Sequence, residues 1–325
     1  MKAMQCVEWG PPDRLRLAEL ADPQPKPGEV RVRVGAAGVN YPDALIVQKK
    51  YQVQPPLPFI PGAEVAGTID AIGAGVTDRA IGQRVVAFVA LGGFADMVCA
   101  DARRTIPLPA GVSDEVAAGF TLTYATSQHA LADRAQLKEG ETLLVLGAGG
   151  GVGLAAVELG KLAGARVIAA AGTDEKLAAC RAAGADELIN YASADLRDAI
   201  KATTGGKGVD VIYDPVGGAY TETALRSIAW RGRLLVIGFA GGEIPRIPAN
   251  LLLLKEASAV GVYWGEFAQR QPQDNKHLLG ELMTWLAQGR LNPRAPKIFA
   301  LADAPRALED LLQRRAIGKL VLRPG

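Results

Sequence analysis

Histidine and cysteine are the scarcest chemistry-bearing residues of this 325-residue chain, with two and three copies. A zinc site needs about three nitrogen, sulfur or oxygen ligands converging on one ion. His129 and His277 lie far apart, with no second His or Cys near either in sequence, and read as structural residues. Cys6, Cys99 and Cys180 are odd in number and widely spaced. That excludes a disulfide framework and a paired-ligand zinc module, leaving each as a small buried hydrophobe. A run of like charge is also missing. Lys and Arg number 36 against 34 Asp and Glu, and the net charge of +2 is spread along the chain, so nothing tracks a phosphate backbone and nucleic acid is not expected as a partner. No segment reaches the ~18 uncharged residues of a membrane helix, and the first ten residues hold no apolar stretch of secretory length. A cytoplasmic protein with no membrane partner is the expectation.

What is present is ordinary globular material, 49% hydrophobic and 22% charged, in a length that suits two domains with a core each. The first third reads as an irregular, mainly antiparallel β domain, with strands over 29–34, 65–72 and 84–89. The turn-rich run 55–62, with Pro55, Pro56, Pro58 and Pro61, cannot be helical. After about Gly119 strands alternate with Ala-rich helices: strand 141–147, helix 151–163, strand 166–171, helix 174–183, and strands 209–213 and 233–238. Repeated strand and helix units imply a parallel sheet wound on both faces. The tail returns to the opening style, with helices at 276–288 and 304–313 and strands near 297 and over 319–322. We therefore expect one domain from 1–122 and 265–325, and a second from 123–264.

Strand 141–147 runs through Ala148-Gly149-Gly150-Gly151-Val152-Gly153 directly into a helix. A dinucleotide fingerprint needs small residues for a tight turn, for close approach of backbone to pyrophosphate, and for packing of helix on strand. Ala148, Gly150 and Gly153 fill those places, and the helix that follows points unpaired N–H groups at the phosphates. At the end of the next strand a carboxylate would favour NAD, but Ala170, Ala171 and Gly172 stand there. Thr173, Lys176 and Tyr191 follow with a hydroxyl, an ammonium and a phenol for an anion, so NADPH is the expected cofactor. Asp174 is the dissenting residue, with a sufficient role in capping a helix.

With a central cofactor loop and a β domain split around it, the chain resembles the medium-chain dehydrogenase/reductase superfamily, specifically its zinc-independent quinone oxidoreductase branch. The resemblance covers essentially the whole length. It rests on Gly38-Val39-Asn40-Tyr41-Pro42-Asp43, Pro61-Gly62-Ala63-Glu64-Val65-Ala66-Gly67, Gly92-Gly93-Phe94-Ala95, Thr123-Tyr124-Ala125-Thr126, Asp214-Pro215-Val216-Gly217-Gly218 and Gly318-Lys319-Leu320-Val321-Leu322. It implies a GroES-like substrate domain joined to a doubly wound Rossmann domain. Asn40 stands where the alcohol dehydrogenase branch has a zinc-binding Cys, Ala63 replaces the His of its Gly-His-Glu triplet, and the cysteine-rich structural-zinc lobe is absent. No catalytic metal is expected, although Asp43 and Glu64 remain.

Without a metal to polarise an alcohol, the chemistry left is reduction of an already electrophilic quinone or enone. The resemblance places Asn40 and Thr126 around the nicotinamide and continues the cofactor cleft through Val216, Phe239 and Tyr263, with Gly150, Gly151, Val152 and Gly153 on the phosphates. Asn40 can donate to the carboxamide or to a developing enolate oxygen. Tyr51 aligns with a catalytic tyrosine of the related mitochondrial enoyl-thioester reductases and follows two lysines that would favour its ionised form; Lys50 precedes it where those reductases tend to carry Asn. Two other readings stay open: an enoyl-thioester reductase, and an NADPH-binding protein without catalysis. The apolar segment 257–263 reads as a strand, either internal or an exposed edge; as an edge, pairing through it predicts a homodimer.

Overall fold

The computed structural model describes residues 1–325, which divide into two compact units, Met1–Leu122 with Arg294–Gly325, and Thr123–Pro293. Helix Asp114–Gln128 carries the chain from the first unit into the second. No helix is long and apolar enough to cross a membrane.

The first unit is built on the long strand Glu29–Val39. Glu64–Ile72 pairs antiparallel along one edge; Met97–Asp101 and Leu320–Arg323 pair antiparallel along successive parts of the other. Arg84–Phe88 and Thr105–Pro107 extend the sheet on one side, and Lys297–Ala300 closes it in parallel with Leu320–Arg323. The strand continues five residues past the alternating stretch 29–34, through Gly35-Ala36-Ala37-Gly38 to Val39. Those residues have poor strand propensity, but a helix needs the room they leave. A Cβ on Gly35 would sit 2.0 Å from the Asp114 carboxylate, and one on Gly38 would sit 2.2 Å from the Ala118 carbonyl oxygen. Val30, Val32 and Val34 point into the core with Ile69, Phe94, Leu308 and Leu320, the period-2 burial of a half-buried sheet.

The second unit is a six-stranded, wholly parallel sheet in the order Glu187–Asn190, Arg166–Ala171, Thr142–Leu146, Val209–Asp214, Ile228–Val236, Ser258–Gly261. Numbered along this unit, that is 3-2-1-4-5-6, the arrangement that leaves a crevice outside the carboxyl ends of the first and fourth strands. Leu143 to Leu146 are all fully buried, as a strand covered on both faces requires.

One boundary differs from the sequence reading. Residues 265–293, assigned there to the first domain, lie with the second unit. Local contacts hold them: Trp264 Nε1 donates to Asn275 Oδ1 at 2.8 Å, Phe267 stacks on His129 with ring centroids 4.1 Å apart, and the Asn292 N–H donates to Glu158. Helix Pro272–Ala287 buries Leu278, Leu282 and Leu286, and the chain returns to the first unit only after it.

Candidate functional site

The turn after strand Thr142–Leu146 is shaped by what its residues omit. Gly147 takes the left-handed conformation, φ +57°, so the tight turn falls there and not on Ala148, which is buried and donates its N–H to the Ala170 carbonyl. A Cβ on Gly153 would stand 2.5 Å from the Gly147 carbonyl oxygen and 2.7 Å from Ala148 Cα; glycine there lets the helix seat on the strand. A Cβ on Gly150 would meet nothing nearer than 3.4 Å, leaving the face of the turn open. Gly150 caps helix Gly151–Leu162 without a side-chain bond. The first N–H groups of that helix, at Gly151, Val152 and Gly153, have no partner within it and point their partial positive charge into the opening.

Beside the turn, the aliphatic stem of Lys176 covers Gly149, where a Cβ would lie 2.5 Å from Lys176 Cβ. Thr173 caps helix Asp174–Ala182 by accepting from the Lys176 N–H. Gly172 lies against Tyr191, with 3.3 Å from a built Cβ to the ring, and Tyr191 packs on Tyr220 at a centroid distance of 4.5 Å. Gly172, Thr173, Lys176 and Tyr191 are thus brought together, with Tyr220 an addition that sequence reading missed. The Asp174 carboxylate accepts from Asn190 Nδ2 at 2.7 Å.

On the other side of the crevice, Asp214 Oδ1 accepts from the N–H groups of Val216 and Gly217 at 2.8 and 2.9 Å. This pins a loop whose Val216 side chain covers Gly147 and whose Gly217 lies against Phe239. Phe239 and Tyr263 are exposed. Thr126 is half-buried on its helix. Its neighbour Ser127 is buried within hydrogen-bonding distance of Tyr213 Oη, 2.8 Å away, and its hydroxyl reaches the Val152 carbonyl at 3.1 Å. This chain from the fourth strand through a helix to the glycine-rich segment also escaped the sequence reading.

The first unit holds a sealed polar cluster. Strand pairing sets Gly38 opposite Glu64 on one side and Val39 opposite Leu320 on the other, so Glu64, Asn40 and Lys319 converge. Lys319 Nζ lies 2.7 Å from Glu64 Oε1, donates to the Val39 carbonyl at 3.1 Å and donates to Asn40 Oδ1. Asn40 Nδ2 donates to Glu64 Oε1 at 3.0 Å and, at a long 3.4 Å, to the Gly38 carbonyl. Glu64 Oε2 accepts from the Leu122 N–H at 2.8 Å. Asp43, wholly buried, accepts from the Asn40 N–H through Oδ2 at 2.8 Å, and its Oδ1 has no hydrogen-bond partner. Burial pushes this carboxyl up to about 7, against the lowering effect of the Asn40 N–H and the Lys319 ammonium, while the Glu64 charge adds to the rise. The signal that marks this site is a lysine directly before the apolar run Leu320-Val321-Leu322 of the closing strand, since a charge beside a buried strand needs a partner.

Tyr51 packs half-buried against the first unit's core. The two lysines before it reach elsewhere: Lys49 Nζ lies 5.8 Å from the centre of the Trp9 ring, and Lys50 Nζ donates to Gln48. No three His, Cys, Asp or Glu side chains come together to hold a metal ion. Asn40 and Ala63 stand at the positions of the two zinc ligands named above, and the Glu64 carboxylate faces an ammonium, so these residues do not fit a zinc centre. His129 is buried, and burial holds its imidazole below the usual range.

Comparison with known proteins agrees with this anatomy. Residues 26–110 match the alcohol dehydrogenase GroES-like domain family and residues 151–282 the zinc-binding dehydrogenase family. A Rattus norvegicus protein named quinone oxidoreductase-like protein 2 is 37% identical over 99% of this chain and 91% of its own. A Pseudomonas aeruginosa quinone oxidoreductase is 33% identical over 99% of both chains. The crystal structure of Escherichia coli quinone oxidoreductase complexed with NADPH superimposes with a TM-score of 0.93 at 30% identity, covering 100% of each chain. The chain therefore belongs to the quinone oxidoreductase branch of the medium-chain dehydrogenase/reductase superfamily, a family of oxidoreductases.

Proposed function

We propose that the protein uses NADPH to reduce a small electrophilic acceptor, a quinone or an enone conjugated with a carbonyl, without a metal ion. The observation that carries this reading is the nucleotide end of the second unit. An ammonium and a phenol, Lys176 and Tyr191, border Gly149 and Gly172, while the carboxylate of Asp174 is engaged by Asn190. That arrangement suits the extra phosphate of NADPH, and the NADPH complex of the Escherichia coli relative supports it. Gly150, Gly151, Val152 and Gly153 take the pyrophosphate on backbone N–H groups. Thr126, Val216, Phe239 and Tyr263 are the second unit's remaining contributions to the cofactor. The bound cofactor supplies the hydride. A quinone or enone takes it at carbon and places charge on oxygen. The protein's tasks are therefore alignment, exclusion of water and donation to that oxygen, for which the first unit offers Asn40, with Tyr51 as its candidate proton donor. Zinc has no part in this reading because the first unit's cation is Lys319.

NADPH oxidation should be measured with quinones, enones and enoyl thioesters, with and without a zinc chelator. We expect chelator-insensitive turnover of quinones or enones. In the same assay Lys176→Ala should raise the KM for NADPH roughly ten- to a hundredfold, the worth of a charge-assisted bond, with little change for NADH. Turnover confined to thioesters, or lost to the chelator, overturns the proposal, and silence with every acceptor leaves a binding role.

Pairing of two copies through the edge strand Ser258–Gly261 also belongs to the proposal. The strand has one neighbour only, and Trp230, Leu253 and Leu254 are large apolar side chains exposed in the same unit, a combination that proteins usually cover. Sedimentation at low micromolar concentration should show a dimer, and a monomer would sink this part.

A further inference from the structure

We infer that Lys319 is a positioning residue for the reaction: together with Glu64 it fixes which way round the Asn40 carboxamide stands, oxygen on the ammonium and nitrogen on the carboxylate. The inference rests on the reading of Asn40 as the first unit's donor to the acceptor oxygen.

An ammonium has three hydrogens to give and no acceptor. Lys319 has three oxygen partners: the Val39 carbonyl, Asn40 Oδ1 and Glu64 Oε1. Glu64 in turn takes the ammonium and Asn40 Nδ2 on one oxygen and the Leu122 N–H on the other. Turning the Asn40 amide over would set its NH₂ against an ammonium and its oxygen against a carboxylate, losing two bonds and adding two repulsions inside a region that water does not screen. Only one orientation survives. In it, one Nδ2 hydrogen is committed to Glu64. The other faces the Gly38 carbonyl at 3.4 Å, too long for a strong bond, and is the hydrogen left to give to a ligand oxygen. An ammonium on the amide oxygen also polarises the amide and strengthens its N–H groups as donors.

Fold stability is a poor reason for this pair. The side chains of Lys319 and Glu64 are 9% and 1% exposed, and a buried ion pair commonly returns no more than its desolvation cost. The chain nevertheless makes room for it with two glycines. A Cβ on Gly38 would lie 2.4 Å from Glu64 Oε1, and one on Gly119 would lie 2.8 Å from Lys319 Cγ. What the pair secures is the orientation of the one amide between its charges.

The test removes both charges together, as Lys319→Met/Glu64→Gln, so that no lone ion stays buried, and combines this pair with Asn40→Ala. The inference expects the pair variant to melt near the wild type and to bind NADPH within about threefold, while kcat for the preferred acceptor falls at least tenfold. It also expects Asn40→Ala to add no further loss in that background. Losses that multiply, or a pair variant at the wild-type kcat, overturn it. A second readout needs only the wild-type protein. In ¹⁵N-asparagine-labelled enzyme, the Asn40 side-chain amide, assigned with Asn40→Ala, should exchange with solvent far more slowly than that of the exposed Asn250; equal rates overturn the fixed orientation even if the variants do not fold. A wild type silent with every quinone and enone sinks the functional reading, while slow amide exchange would still uphold an amide held fast by its neighbours.

Discussion

The two units build their polar centres by opposite means. In the second, the segment from Gly147 to Gly153 is a site made of missing side chains, with an open face at Gly150 and the first N–H groups of helix Gly151–Leu162 left unpaired within it. In the first, Asn40, Asp43, Glu64 and Lys319 form a site made of side chains, nearly closed to solvent, in which almost every donor is spent on a neighbour. A ligand's phosphates can be received only by donors left unmet. A fixed amide orientation can be kept only by donors already met. In the proposed function, the contrast separates a region suited to binding from a region suited to holding still.

The largest effect should follow from filling the empty site. Gly153→Val puts a branched side chain where even a Cβ would stand 2.5 Å from a backbone oxygen, so the turn or the helix must move. We expect NADPH binding to weaken at least a hundredfold in a fluorescence titration, with Asn40 amide exchange in the first unit unaltered. A dissociation constant within tenfold of the wild type would show that the turn is not the binding element.

Next comes the buried acid. Asp43 titrates at about 7 in the fold, pushed up mainly by burial, and near 3.9 when unfolded. Its folded value is raised, so the fold favours the protonated carboxyl: the contribution is fully present below about pH 4, falls as pH rises toward 7, and is constant above. Asp43→Asn imitates the protonated form. Its stability relative to the wild type should therefore grow from pH 4 to pH 7, by about 4 kcal/mol at most, and then level off. Chemical denaturation at pH 5, 6, 7 and 8 measures the gap, and a gap independent of pH would mean that Asp43 does not titrate there. Gly38→Ala should cost less, about 1–3 kcal/mol for overpacking, because its Cβ would press on Ala118 and Glu64. A melting temperature equal to the wild type would show that the cluster has slack.

The empty site was legible in the sequence and the full one was not. A glycine-rich segment between an apolar strand and an Ala-rich helix is a local pattern, and so are the strands and helices of the second unit; Arg166–Ala171 lies where its residues alone put it. The placement of the tight turn on Gly147 instead of Ala148 was missed, since the letters do not give φ. The cluster depends on contacts across 279 residues of sequence, from Lys319 to Asn40, which no local period carries. The same holds for Ser127 with Tyr213, and for 265–293, whose allegiance rests on Asn275, Phe267 and Asn292 finding partners in the second unit. Strand Glu29–Val39 outran its alternating pattern because its last residues are small for a helix's sake, a tertiary reason that propensity cannot contain.

The smallest effect probes the one place where the binding region borrows the device of the holding region. Asn190 Nδ2 engages the Asp174 carboxylate at 2.7 Å on the exposed side of the nucleotide end, as Asn40 engages Glu64 in the buried cluster. Solvent changes its worth: exposed polar pairs contribute a few tenths of a kcal/mol, so Asn190→Ala should release the carboxylate at little cost to the fold. Once free, that charge would sit near the phosphate proposed for Lys176 and Tyr191, and would lower the kcat/KM ratio of NADPH to NADH by about twofold. An unchanged or rising ratio would mean that Asp174 faces away from the nucleotide even without Asn190, and that cofactor choice lies with Lys176 and Tyr191 alone.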